Sequence, residues 1–255
     1  VYFFFRNLLL NFQWLMNKKV LIIGSLGYLG SKLFKKIKKQ YDVVGIDNHF
    51  FANSFLSDDN LNKEITKKDI RDLKEDYLAK FDVIILLAGI SNDPLDKTDE
   101  RIFYNSSLKY SMNIANICKR NGIKLIFPSS CSVYGFNKNE VDEFSETHPL
   151  TGYSKNKLDI ENYLISITDN DFKPIILRFS TIYGYSPRMR FDVVINMLVG
   201  MAVAKKEIVL NSDGQSWRPH LHIDDAISVI QYCIGFDEYT KYLLINVGGK
   251  NNNKK

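Results

Sequence analysis

Short, continuous apolar runs alternate along the chain with longer mixed stretches that read as helices. Lys19-Val-Leu-Ile-Ile23, Asp42-Val-Val-Gly-Ile-Asp47, Phe81-Asp-Val-Ile-Ile-Leu-Leu-Ala-Gly89 and Ile123-Lys-Leu-Ile-Phe127 have the length and composition of strands. Such runs fit strands buried on both faces, as in a parallel sheet. Helices are predicted from roughly Tyr28 to Lys39 and from about Glu100 to Asn121, and another is opened by Pro149-Leu-Thr-Gly-Tyr153. A polar, Lys-rich crossover precedes Asp69-Ile70-Arg71-Asp72, and Tyr242-Leu-Leu-Ile-Asn-Val-Gly-Gly reads as a last strand running into a turn. Repeated alternation of strand and helix predicts an α/β fold with a doubly wound parallel sheet.

The turn after the first strand sharpens the picture. Gly24-Ser-Leu-Gly27-Tyr-Leu-Gly30 joins that strand to the first helix in a GxxGxxG pattern. The first glycine permits a tight turn, the second lets the backbone approach a pyrophosphate, and the third allows the helix to pack closely on the sheet. The helix begins where its free N–H groups and dipole favour an anion. A lone glycine pattern is a weak signal, but here strand, turn and helix are all in place. The second strand ends in Asp47, 17 residues past Gly30. An acid there accepts hydrogen bonds from adenosine ribose hydroxyls and repels a 2′-phosphate, favouring NAD over NADP; the plainer alternative is an acid that caps a loop. The small residues closing Phe81–Gly89 mark a place where backbone could lie against a cofactor.

Hydroxyls then gather at a sheet edge. Pro128-Ser129-Ser130-Cys131-Ser132 follows the fourth strand, at the carboxyl end where open α/β sheets bind ligands. Tyr153 and Lys157, at i and i+4, share one face of the next helix. YxxxK alone says little, since Tyr28 with Lys32 and Tyr134 with Lys138 match it too. The first of these pairs belongs to the glycine turn and its helix, and the second follows the serine strand into a loop. Only Tyr153 and Lys157 have a helix of their own, 23 residues beyond Ser130. A phenol with a pKa near 10 needs about three units, roughly 4 kcal/mol, of phenolate stabilisation to serve as a base near neutrality. An ammonium one turn away can provide much of it.

With these motifs in hand, the chain resembles the extended short-chain dehydrogenase/reductases, specifically the NAD-dependent nucleotide-sugar epimerase/dehydratase family, from about Lys18 to Gly249. The resemblance implies a Rossmann-type doubly wound sheet and a smaller, truncated C-terminal α/β substrate domain. It implies NAD bound by Gly24, Gly27, Tyr28, Leu29, Gly30, Asp47, Asp69, Ile70, Leu87, Ala88, Gly89, Asn105, Tyr153 and Lys157, with catalysis by Ser130, Tyr153 and Lys157. Leu177-Arg178-Phe-Ser-Thr-Ile-Tyr183-Gly184 is similar to the family's strand and turn near the nicotinamide, extended by Ser186-Pro187-Arg188-Met-Arg190-Phe191. Gly214-Gln-Ser-Trp-Arg218-Pro219-His220-Leu-His222 resembles its second-domain motif, in which an arginine contacts the nucleotide diphosphate. Substrate contacts are therefore expected at Ser130, Ser132, Tyr153, Arg188, Asn196 and Arg218; salt bridging is the alternative for Arg188, Arg190 and Arg218.

Family members that dehydrate their sugar follow the catalytic threonine with Asp-Glu. Cys131 and Ser132 stand there instead, so 4-epimerisation is expected over dehydration. A 4-keto-sugar reductase using NAD(P)H and a catalytically silent dinucleotide sensor or scaffold are the competing expectations. Relatives commonly dimerise through two helices, which would here be those bearing Asn105 and Tyr153.

Composition changes this picture little. The 255 residues are 45% hydrophobic and 25% charged, an ordinary globular balance. The net charge of +5 is matched by Lys18, Lys19, Lys250, Lys254 and Lys255 near the ends, so no nucleic-acid partner is expected; Lys35, Lys36, Lys38 and Lys39 read as a solvated helix face. Three cysteines without CxxC spacing and one close histidine pair, His220 and His222, indicate neither disulfides nor a metal, and fit a reducing, cytoplasmic compartment.

The domains expected are 16–177, the dinucleotide-binding domain with the catalytic residues, and 178–249, a partial substrate domain whose chain returns to the core. Residues 250–255 form a polar tail. Apolar residues 1–15 are interrupted by Arg6, Asn7, Asn11 and Gln13 and are too short to span a bilayer. They lack a signal peptide's basic start and cleavage site. Met16 is the expected functional start, with an interfacial helix as the alternative for what precedes it.

Overall fold

The computed structural model describes residues 18–56, 60–89, 100–210, 213, 217–249 and 253–254. The stretch 1–15, the start of the Gly214 motif and Lys250 lie outside the described residues.

The first half of the chain runs β1 (Lys19–Ile23), α1 (Tyr28–Ile37), β2 (Asp42–Asp47), α2 (Leu61–Glu64), β3 (Thr66–Lys67), a 3-10 turn (Ile70–Asp72), α3 (Glu75–Leu78) and β4 (Val83–Leu86). It continues through α4 (Glu100–Arg120), β5 (Lys124–Ser130), a 3-10 turn (Cys131–Tyr134), α5 (Gly152–Ser166) and β6 (Ile175–Phe179). Then come β7 (Thr181–Tyr183), α6 (Val194–Lys205), β8 (Arg218–His222), α7 (Ile223–Gly235), β9 (Leu243–Val247) and β10 (Asn253–Lys254).

Seven strands form one sheet in the order β3-β2-β1-β4-β5-β6-β9, with parallel pairing throughout. The unbroken apolar runs follow from this arrangement. Successive side chains of a strand point to opposite faces, and both faces here are covered. Val20 and Ile22 enter a core with Leu33, Phe34 and Ile37 of α1 and Ile227 and Ile230 of α7. Leu21 and Ile23 enter the opposite core with Ile114 of α4 and Ile160 and Leu164 of α5. The order reverses at β1, whose neighbours are β2 on one side and β4 on the other. The carboxyl ends of β1, β2, β4 and β5 therefore border one crevice, the usual place for a ligand in such sheets.

After Phe179 the chain leaves the main sheet and builds a second, three-stranded one in the order β10-β8-β7. It returns to the main sheet only at Leu243. Asn253 and Lys254, expected as polar tail, pair antiparallel with Pro219 and Arg218 along the edge of β8.

Candidate active site

The glycine turn is fixed by contact on two sides. Gly24 has φ +92°, and a Cβ there would lie 2.6 Å from the backbone nitrogen of Ala88. The turn thus rests directly on the end of β4. A Cβ on Gly30 would lie 2.2 Å from the carbonyl oxygen of Gly24, so α1 can approach the turn only with glycine at that position. Gly27 caps α1 without a side-chain acceptor, and no acidic residue occupies the first turn. The helix start is thereby left electropositive, beside Tyr28 and Leu29. Gly30→Ala is expected to push the turn off the sheet and abolish NADH binding, at a stability cost of about 1–3 kcal/mol. Gly200→Ala, on α6, is the control, because its Cβ would meet only the Phe191 ring, at 3.3 Å. Fluorescence titration with NADH and thermal melting of both variants check this.

Asp47 closes β2 beside the turn. Its Oδ2 accepts from the Leu26 N–H at 3.0 Å and its Oδ1 from the His49 N–H at 3.0 Å. Asp69 is bound by its own neighbour, accepting from the Arg71 backbone and from Nε and Nη2 of the guanidinium at 2.9, 2.9 and 2.6 Å. The Arg71 hydrogen bonds hold the Asp69 carboxyl below the usual carboxylate range. Ile70 opens the following 3-10 turn. Leu87 and Ala88 continue β4 by donating to the Ile23 carbonyl at 2.9 and 2.8 Å. Asn105 lies on α4, and its side chain is outside the described residues.

At the end of β5, Ser130 Oγ accepts from the Ser132 N–H at 3.2 Å and caps the 3-10 turn. Ser132 is exposed. α5 starts at a reciprocal capping box: the Ser154 N–H donates to Thr151 Oγ1 at 3.2 Å and the Thr151 N–H to Ser154 Oγ at 3.0 Å. Two orphan donors are satisfied together, which fixes the first turn of the helix where Tyr153 stands. One turn on, Lys157 reaches under β5. Its Nζ donates to the Pro128 carbonyl at 2.7 Å and lies 4.5 Å from the centre of the Phe127 ring and 5.8 Å from that of Tyr153. Burial lowers its pKa to about 8, and the charge of Glu161 opposes that fall.

Glu161, Arg178 and Tyr134 are not among the site residues expected from sequence, yet they form a polar network beneath the helix that carries Tyr153 and Lys157. Strand register sets Ser129, Arg178 and Asn246 side by side across β5, β6 and β9. Glu161, on α5 two turns beyond Tyr153, lies over this row. Arg178 donates to Glu161 Oε2 at 2.7 Å from Nη2 and 3.1 Å from Nε, and to the Tyr134 hydroxyl at 2.7 Å from Nη1. Tyr134 donates in turn to Asn246 Oδ1 at 2.7 Å, and Ser129 donates to Glu161. Two signals could have found this network: a charged residue inside the apolar strand Ile175-Ile-Leu-Arg-Phe179, and Tyr153, Lys157 and Glu161 spaced four apart.

The later candidates are spread over two places. Arg218 is exposed at the start of β8. Asn196 is buried, and its amide joins the two ends of the 184–190 turn to Tyr28 of α1: Oδ1 accepts from the Gly184 N–H at 2.9 Å, and Nδ2 donates to the Arg190 carbonyl at 3.0 Å and the Tyr28 hydroxyl at 3.2 Å. Arg190 pairs with Asp192 at 2.6 Å and lies close enough to Tyr153 for their charges to interact. Arg188 lies against Phe51, its Cζ 3.9 Å from the ring centre. His220 and His222 both pack edge-on against Tyr183. Among the described residues no cluster of three or more His, Cys, Asp or Glu could hold a metal, and no helix is long and apolar enough to cross a membrane.

A doubly wound parallel sheet with a glycine turn set against its switch point is that of a Rossmann-type nucleotide-binding protein. The residues at the crevice fit a dinucleotide: a glycine cradle that a Cβ would fill, an uncapped helix start and an acid ending β2. The chain belongs to the NAD dependent epimerase/dehydratase family, which matches residues 20–248. It is 28% identical over 227 residues to the N-acetyl-alpha-D-glucosaminyl-diphospho-ditrans,octacis-undecaprenol 4-epimerase of Escherichia coli O157:H7, covering 85% of this chain and 63% of that protein. It is 28% identical over 245 residues to the uncharacterized UDP-glucose epimerase YtcB of Bacillus subtilis (strain 168), covering 91% and 77%. Among solved structures, the UDP-glucuronic acid 4-epimerase from Bacillus cereus, in complex with UDP-glucuronic acid and NAD, superposes with a TM-score of 0.78 at 26% identity, covering 91% of this chain and 78% of that one. The chain thus spans about two thirds to four fifths of the length of these relatives.

Proposed function

We propose that the chain acts as a nucleotide-sugar 4-epimerase on UDP-hexoses, with Ser130, Tyr153 and Lys157 as its catalytic residues. Bound NAD supplies the acceptor and later the donor of hydride at C4. Ser130 holds the 4-oxygen beside the Tyr153 phenol. Tyr153, as phenolate, takes the 4-hydroxyl proton and gives it back once the sugar has turned its other face. Lys157 keeps its ammonium one helical turn from that phenol and stabilises the phenolate. The electropositive start of α1 faces the pyrophosphate, Asp47 receives the adenosine ribose, and Arg218 meets the substrate diphosphate as a bidentate donor.

The observation that carries the choice of reaction lies beside Ser130. Dehydration needs a second acid–base pair, and the two following residues are Cys131 and Ser132. The Cys131 thiol is engaged with the Arg178 carbonyl at 3.2 Å, and burial, the largest influence on it, pushes its pKa up to about 11. Such a thiol is no general acid or base for water elimination near neutrality. Epimerisation needs a single base.

Pure protein incubated with UDP-glucose or UDP-N-acetylglucosamine and no added cofactor is expected to form the C4 epimer. Turnover of a 4-keto sugar only with added NAD(P)H would sink this assignment in favour of a reductase. No sugar chemistry and no excess absorbance at 260 nm would favour a non-catalytic sensor or scaffold.

A further inference from the structure

Arg188 is among the substrate contacts expected from sequence; in the structure it lies against Phe51 in the loop after β2. The segment from Gly184 to Arg190 lies across the start of α1 and is tied down there. The Tyr28 hydroxyl donates to the Gly184 carbonyl at 2.7 Å, Ser186 Oγ donates to the Tyr28 carbonyl at 2.6 Å, and the Ser31 and Ser186 hydroxyls lie 3.0 Å apart. Its far side joins the loop after β2, where the Leu56 N–H donates to the Pro187 carbonyl at 3.1 Å. Met189 anchors the turn in the core, and its sulfur accepts from the Ser186 N–H at 3.3 Å. Arg188 is therefore presented from a braced turn to the place where β2 ends.

Its guanidinium has a platform and, among the described residues, no hydrogen-bonding partner. It stacks on Phe51, and Arg190, Asp192 and Asp47 are all near enough to act on its charge. Among the described residues its buried Nε has no hydrogen bond and Arg188 forms no ion pair within 4.0 Å. A partly buried guanidinium left in this condition is costly unless a ligand supplies acceptors. The group that Asp47 receives has them. Each ribose hydroxyl can donate to a carboxylate and accept from a guanidinium at once.

We infer that Arg188 is a cofactor-binding residue: it grips the adenosine ribose opposite Asp47, and the Gly184–Arg190 segment is the strap that retains the dinucleotide. This rests on the glycine turn and Asp47 being the dinucleotide cradle. Retention matters to an enzyme that must return the hydride it has removed, because a cofactor lost between the two transfers strands the ketone.

The test is direct binding, without turnover. Wild type, Arg188→Gln and Arg188→Lys are titrated with NADH, with ADP-ribose and with UDP. Arg188→Gln is expected to weaken NADH and ADP-ribose about tenfold, the loss of hydrogen bonds from a charged donor, and to leave UDP unchanged. Arg188→Lys keeps the charge without the flat fork and is expected to recover only part of the loss. The Gln variant should also purify with less absorbance at 260 nm. Melting curves without ligand establish that the variants are folded; should Arg188→Gln fail to fold, Arg188→Lys and Phe51→Leu carry the same comparison. Unchanged NADH and ADP-ribose affinity would overturn the inference and leave the cradle standing. Weakened UDP binding with intact ADP-ribose binding would return Arg188 to the substrate. A wild type that takes up neither NADH nor ADP-ribose would remove the cradle and this inference together.

Discussion

Tyr153→Phe is expected to lower turnover on the order of 10³-fold, within the range for removing a general acid–base group, while leaving NADH affinity within a factor of two or so. The substitution deletes one oxygen from a residue whose helix is held by other means: the Thr151–Ser154 capping box fixes the start of α5, and Ile160 and Leu164 bury its inner face. The fold and cofactor cradle therefore survive, and the lost function is proton transfer. Lys157 explains why the phenol is worth removing. Its ammonium is held by the Pro128 carbonyl, 5.8 Å from the centre of the Tyr153 ring. With that cation gone, a phenol of pKa near 10 would be a poor base at neutral pH. Initial rates of epimer formation under saturating substrate, beside an NADH titration of the same preparation, make the measurement. Full activity in the Phe variant would mean that another group is the base.

The largest expected effect on stability comes from Arg178→Met. Arg178 and Glu161 are an ion pair in the protein interior, their side chains 5% and 0% exposed. Removing the cation leaves a buried carboxylate with Ser129 as its remaining donor, at a cost of about 3–5 kcal/mol. Against a typical total stability of about 5–15 kcal/mol, that puts the variant near or beyond unfolding at 37 °C. The double variant Glu161→Gln with Arg178→Met removes both charges and is expected to be more stable than the single one, because most of the penalty is the stranded charge. Urea denaturation of the three proteins orders them; a single variant as stable as its parent would show that the network carries little energy. The network also reaches the catalytic residues. Glu161 stands one turn beyond Lys157 and raises its pKa against the effect of burial, so a folded Glu161→Gln variant should lose the charged ammonium at lower pH.

Legibility in the sequence followed the range of the interaction. β2 was predicted as Asp42–Asp47 and occurs there, and α1 was predicted from Tyr28 to Lys39 and runs to Ile37. Both depend on local rules: continuous apolar residues between turns, and glycines where backbone must approach backbone. Lys157 was found because it stands one helical turn from Tyr153. Arg178 was read only as part of a resembling motif. Its register neighbours Ser129 and Asn246 are 49 and 68 positions away in sequence and its ion-pair partner Glu161 is 17 away, and only strand register and the packing of α5 on the sheet bring them together.

By itself, then, the sequence determined the parallel α/β sheet, the glycine turn with its closing acid, and the existence of a serine-ended strand and of a helix carrying Tyr153 and Lys157 on one face. Each follows from backbone geometry or spacing within a few residues. Tertiary structure alone decided that Asn196 locks the turn at Gly184, that Asp69 is held by Arg71, that a buried ion pair underlies the proposed catalytic helix, and that Arg188 lies against Phe51 in the loop after β2. The physical reason is shared: each of these groups is polar, carries hydrogen-bonding or charge demands, and takes its surroundings from whichever segment the fold brings against it.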